Sequence, residues 1–222
     1  MDGQGSEKGS QVLDSDIPSK RFPKRAPDKL YWEDPDHDTH MPDRLLSDAM
    51  WNYELASRAA IDSPECRRAT WASVLAAFAA FEAHVNDYCY RLVRSAGSDL
   101  GELERNVCDE KYSVLREGQF KREKKNYPLE DRYTFLYTYR HQEPLNKTTT
   151  EWRNYLEAKR IRDQLTHPKP PLASPSPDDA KQVIEAVQGM LRVLLKDPTY
   201  FNDLIASFES LQNWVQQTEG RF

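Results

Sequence analysis

The sequence has little glycine, little cysteine and no long apolar run, and each shortage removes a class of protein. Its eight glycines are scattered, and none forms a spaced cluster ahead of a helix. That excludes P-loop and Rossmann sites, which need glycine to bring backbone amides against phosphate. Three cysteines, Cys66, Cys89 and Cys108, stand at unrelated spacings without a Cys-x-x-Cys pair. They read as reduced thiols, two of them in the core. No window approaches the roughly 18 apolar residues of a membrane span, and Met1 to Ser6 has no apolar signal-peptide core. A cytoplasmic protein is therefore expected. There is no His-Glu-x-x-His and no Gly-x-Ser-x-Gly elbow, and the histidines pair only as His37 and His40, so a zinc hydrolase and a serine hydrolase are both disfavoured and no cofactor is expected.

What remains fits one helical domain. The 222 residues are 38% apolar, enough for a single core. A net charge of −5 argues against a protein that coats nucleic acid, while leaving room for a local basic groove. Residues 1–40 have almost no apolar periodicity and are expected to form a disordered tail, with a basic run at Ser19 to Arg25 and an acidic, histidine-bearing run at Asp34 to His40. From residue 41 to 222 the pattern predicts an all-α bundle of about six or seven helices. Pro42 opens the first helix. Ser63, Pro64 and Glu65 open the second, whose Val74, Phe78, Phe81, Val85, Tyr88 and Leu92 alternate steps of four and three to about Ala96. Ser176, Pro177, Asp178 and Asp179 open a further helix, and Tyr200 to Trp214 supplies the last. No run alternates as a strand.

Three segments bear on function. Glu82 sits at the edge of the buried stripe of the second helix, either facing water or bonded to an arginine of a later helix. Leu103 to Leu115 forms a weaker amphipathic segment ending near Gly118, followed by a basic connector at residues 119–127 with Lys121, Arg122, Lys124 and Lys125. Beyond Pro128 comes a helix with Tyr133, Phe135, Leu136, Tyr137 and Tyr139. Cations beside rings are what a single-stranded RNA surface uses, because rings stack on bases while lysines meet phosphates, so Tyr133 and Tyr137 face either RNA or the core.

The chemistry concentrates at Arg160-Ile161-Arg162-Asp163-Gln164-Leu165-Thr166-His167-Pro168. Trp152, Tyr155 and Leu156 lie on one side of this helix, and Ala158, Ile161 and Leu165 lie nearly opposite, which predicts a helix sandwiched between the core and a neighbour or second subunit. Pro168 pushes His167 out of α conformation and onto the surface. An imidazole can take the proton of a ribose 2′-hydroxyl or give one to the leaving 5′-oxygen. A guanidinium offers a permanently charged fork to the phosphorane oxygens. Asp163 can orient either group. A twofold-related copy would supply a second pair.

An Arg, a polar residue and then a His five positions after the Arg, at the end of a helix in an all-α domain, resembles the HEPN superfamily, particularly its standalone and RiboL-PSP-type members. The stretch Phe81-Glu82-Ala83-His84-Val85-Asn86 and the segment Trp152 to His167 resemble its early and motif helices. The resemblance covers about residues 65–215. It implies a metal-independent endoribonuclease that acts on RNA as a homodimer, often a toxin or abortive-infection effector of antiviral defence with an antitoxin or regulatory protein as partner. On these residues it makes Arg162 and His167 catalytic and Asp163 the polar residue after the Arg, with Arg160 as the longer-spaced alternative. It also allows a non-catalytic relative that serves as a dimerisation or partner-binding module.

Overall fold

A computed structural model describes residues 41–96, 99–116, 119–167, 174–197 and 202, with the backbone alone at 112–116, 120 and 122. The two charged runs of the N-terminal segment, Pro168 and, apart from Asn202, the helix expected at Tyr200 to Trp214 lie outside the described residues. Within them the chain is a helical bundle: α1 (Met41–Arg58), α2 (Pro64–Ala96), α3 (Glu102–Asp109), strands β1 (Lys111–Arg116) and β2 (Gln119–Lys124), then α4 (Leu129–His141), α5 (Thr150–Thr166) and α6 (Pro177–Leu195). No described helix is long and apolar enough to cross a membrane.

The second helix is the strut. Ser63 caps it, its hydroxyl accepting the Cys66 N–H at 3.0 Å, and Pro64 fills a first-turn position that needs no donor. Its 33 residues make a rod of about 50 Å that packs against α1, α3, α4, α5 and α6. The apolar stripe read from the sequence is buried along its length. A second stripe is buried as well: Thr70, Ser73, Ala77, Ala80, His84, Asp87 and Arg91. Its small members let α1 approach closely, and its polar members have polar neighbours. The Ser73 hydroxyl donates to the Ala49 carbonyl at 2.7 Å, the His84 ring lies 3.5 Å from the Asp43 carboxylate, and Arg91 donates to Asp87 at 2.8 Å. These contacts set α1 antiparallel to α2.

The other face of α2 carries the aromatic core. The ring of Phe81 lies 5.6 Å from Tyr133 of α4 and 5.2 Å from Tyr155 of α5. The Tyr133 hydroxyl donates to the Met190 carbonyl at 2.7 Å, and a His141 ring nitrogen bonds the Leu194 carbonyl at 2.8 Å, which fastens α4 to α6. All three cysteines are free and buried. Cys89 of α2 and Cys108 of α3 hydrogen-bond each other, with Arg132 of α4 beside them, so this polar contact joins three helices.

The segment from 111 to 124 corrects the sequence reading. The amphipathic segment expected through Leu115 ends at Asp109, and the expected connector is the second strand of an antiparallel hairpin, paired from Lys111↔Lys124 to Arg116↔Gln119. Glu110 turns the chain out of α3 in the left-handed region (φ 50°), and its carbonyl accepts the Lys125 N–H at 2.8 Å to close the hairpin root. Alternation failed as a signal because apolar positions fall on both faces of β1 and charged positions on both faces of β2, so neither face is assigned to a core.

Candidate functional site at the end of α5

The Thr149 hydroxyl accepts the Trp152 N–H at 3.3 Å and starts α5. Among the described residues of the one chain, the apolar positions of the helix form one broad face rather than two. Trp152, Tyr155, Ala158 and Ile161 are buried, Leu165 packs partly against the core, and Leu156 is exposed. At 100° per residue Tyr155 and Arg162 fall between the two apolar sides, so all of these positions form one continuous arc of about 180°, and Leu156 and Asp163 occupy the solvent side.

Arg162 is therefore half in the core. Its guanidinium lies over the Phe78 ring of α2, 5.1 Å from the centroid, and its Nε is 3.2 Å from the Asp163 carboxylate. That contact is a charge contact, because the Nε is buried and makes no hydrogen bond. Aromatic face and carboxylate fix the base of the fork. His167 is exposed just past the helix end at φ −133°, and its backbone N–H still donates to the Asp163 carbonyl at 2.9 Å. Asp163 thus contacts both members of the pair, through its carboxylate and its carbonyl. Arg160 belongs elsewhere: its guanidinium grips the Glu157 carboxylate one turn back, with contacts of 2.6 to 3.0 Å, on the exposed side. Glu82 is exposed and pairs with neither arginine among the described residues, whose carboxylate partners are Asp163 and Glu157.

Neighbours of Arg162 complete the setting. Lys159, one turn earlier, pairs with Glu130 at the start of α4, and Glu130 also bonds the Tyr155 hydroxyl. Burial pushes the Tyr155 phenol well above its usual range, with the Glu130 carboxylate adding to this and Arg162 opposing it. Burial is the largest influence on Glu130 and would raise it, but the bond to Lys159, a backbone N–H, the Lys159 charge and the Tyr155 hydroxyl together hold the carboxyl below the usual range. Phe78, Glu130, Tyr155 and Lys159 were not singled out as site residues. The Arg162-to-Lys159 spacing of one turn was a signal for the last, whereas nothing local ties Glu130 to a helix 29 residues away.

The residues expected to touch RNA divide. Tyr133 is fully buried and Tyr137 nearly so, with its hydroxyl bonded to Glu143 at 2.8 Å, so neither ring can stack on a base. Both are core and bundle contacts, because at helical spacing they point at Phe81 and α6. Lys121, Lys124 and Lys125 are exposed on and beside the hairpin, and Arg122 occupies a β2 register position. No protein-family model, curated protein or solved structure matches the chain.

Proposed function

We propose that the chain is an endoribonuclease of HEPN type that cleaves RNA without a metal and acts as a dimer. The observation that carries this reading is the end of α5, where Arg162 is held by Phe78 and Asp163 while His167 is presented to solvent five residues later. The His167 imidazole takes the 2′-hydroxyl proton, the 2′-oxygen attacks phosphorus, and the 5′-oxygen departs with a proton from the His167 of the second copy. The Arg162 fork stabilises the phosphorane oxygens. Products are a 2′,3′-cyclic phosphate and a 5′-hydroxyl. Exposed apolar residues favour a second copy beside this site. Trp71 and Leu75 continue the Phe78 face of α2 by steps of four and three, and Tyr155 meets Phe81 while Arg162 meets Phe78. With that antiparallel crossing, Leu75 and Trp71 extend toward the His167 end. In this reading the protein is a cytoplasmic toxin or abortive-infection effector, restrained by an antitoxin or regulatory protein.

The same apolar patch supports a second reading, a non-catalytic dimerisation module, and one experiment separates the two. Purified chain incubated with RNA in EDTA should yield cyclic phosphate ends. His167→Ala should abolish cleavage with an unchanged thermal melt, and Arg162→Lys, which keeps the charge but loses the fork, should reduce it by about 10²-fold. Cleavage that survives His167→Ala sinks the assignment. A stable dimer with no cleavage supports the module.

A further inference from the structure

We infer that the β1–β2 hairpin is a single-stranded RNA grip that feeds the α5 site. Residues 111–125 hold six cations (Lys111, Arg116, Lys121, Arg122, Lys124, Lys125) and two carboxylates (Glu117, Glu123), a net +4 in a chain of −5, so the rest carries −9. The register sorts these charges. Positions 111, 113, 115, 120, 122 and 124 share one face of the ribbon, and positions 112, 114, 116, 119, 121 and 123 share the other. The first face has Lys111, Arg122 and Lys124 at its positions and no carboxylate. Glu123 belongs to the second.

Lys111 and Lys124 are direct cross-strand partners, and both are exposed. Like charges directly opposite destabilise a ladder, in a two-stranded sheet that is only marginally stable to begin with. The arrangement becomes favourable when a polyanion runs along the face. Lys125, just past β2, falls on the second face by the same alternation and lies over the Tyr127 ring at 4.7 Å, which sets an aromatic and a further cation together at the hairpin root. Phe120 supplies a ring at a tip position of the Lys111–Lys124 face. Rings beside cations suit splayed bases, whereas the deep, narrow major groove of duplex RNA does not admit a ribbon.

The hairpin root is also within reach of the site. Beneath Arg162 lies Phe78, and Arg132 beside the root lies at Cys89, so the two are 11 residues apart on α2, about 16 Å along its axis. Arg132 lies 3.6 Å from Glu110, the residue that opens the hairpin. A strand bound on the Lys111–Lys124 face can therefore continue to Arg162.

The choice of RNA as polyanion rests on the ribonuclease reading, and the experiment tells the two apart. A 5′-fluorescein twelve-nucleotide oligouridylate is titrated, by anisotropy, into full-length His167→Ala protein at several salt concentrations. Lys111→Glu with Lys124→Glu should weaken binding about tenfold or more and lower the slope of log affinity against log salt by about 1.4, the share of two phosphate contacts. Lys111→Arg with Lys124→Arg should restore both. In the otherwise native chain the charge-reversed pair should slow cleavage of the twelve-mer while leaving cleavage of a dinucleotide unchanged. Equal affinity of wild-type and charge-reversed protein overturns the grip, as does preference for the duplex form or for phosphatidylserine vesicles over the single strand. Binding that follows the lysines in a chain that never cleaves RNA would retain the grip and discard the nuclease.

Discussion

At the scale of single residues, burial decides what each titratable group can do. His84 is almost wholly buried, and burial first, then the nearby Arg91 charge, hold its ring down at about 4. Asp43 lies 3.5 Å from the ring, but its side chain is 38% exposed and does not reverse this. The unfolded chain takes up the histidine proton near 6.5, and the folded chain resists it until about 4. The contribution is therefore whole above pH 6.5 and lost as pH falls towards 4. About 3 kcal/mol is at stake, on the order of 1.4 kcal/mol for each unit of displacement. Denaturant unfolding at pH 7 and pH 4.5 should show that acid-dependent loss in the wild type and a clearly smaller one in His84→Gln, which has nothing to protonate. The sequence placed His84 beside Glu82 in the same motif-like stretch without distinguishing them. Three-dimensional burial does, putting His84 against α1 and Glu82 in water.

At the scale of elements, legibility followed how local the signals were. The helix start marked by Ser176, Pro177, Asp178 and Asp179 is present, and the structure adds a capping box: the Ser176 hydroxyl accepts the Asp179 N–H at 3.2 Å, and the Asp179 carboxylate accepts the Ser176 N–H at 2.7 Å. Ser176→Ala should cost about 1 kcal/mol in chemical denaturation with the unfolding slope unchanged. Helices α1, α2 and α6 start where caps and prolines mark them, within a residue or two. The hairpin was missed because charged and apolar positions are spread over both of its faces, which a search for apolar alternation cannot register. Tyr133 and Tyr137 were left open between RNA and core because a ring at helical spacing reads the same either way. Packing decides it: Tyr133 meets Phe81 of α2 and the Met190 carbonyl of α6, and Tyr137 is buried with its hydroxyl on Glu143. The site is the mirror case. Arg162, Asp163 and His167 were legible as a local spacing, whereas the ring under Arg162 comes from a helix more than 80 residues earlier in the chain.

At the scale of the whole molecule, the described residues bury one core around α2 and leave an apolar edge along Trp71 and Leu75 of α2, with Leu156 exposed on α5. Dimerisation through that edge would bring two α5 ends together, and it predicts a linked loss. Leu75→Arg should shift the protein from dimer to monomer in sedimentation and lower cleavage in step, while the monomer keeps its helical spectrum, since Leu75 is 43% exposed and contributes little to the core. Full activity in a monomeric Leu75→Arg protein would mean that one copy holds a whole site.

The like-charged hairpin has one more consequence, for how the protein keeps to itself. Among the described residues the two-stranded sheet has two unpaired edges, each a row of backbone donors and acceptors onto which another chain can add a strand. Lysine on such a strand is a common guard against this, because stacking a second copy in register would pile cation upon cation. Stripping the charge from Lys111 and Lys124, as alanine would, removes that guard and invites edge-to-edge aggregation. Glutamate keeps it with the opposite sign. The cations that draw in a polyanion would thus also keep one hairpin from growing onto the next.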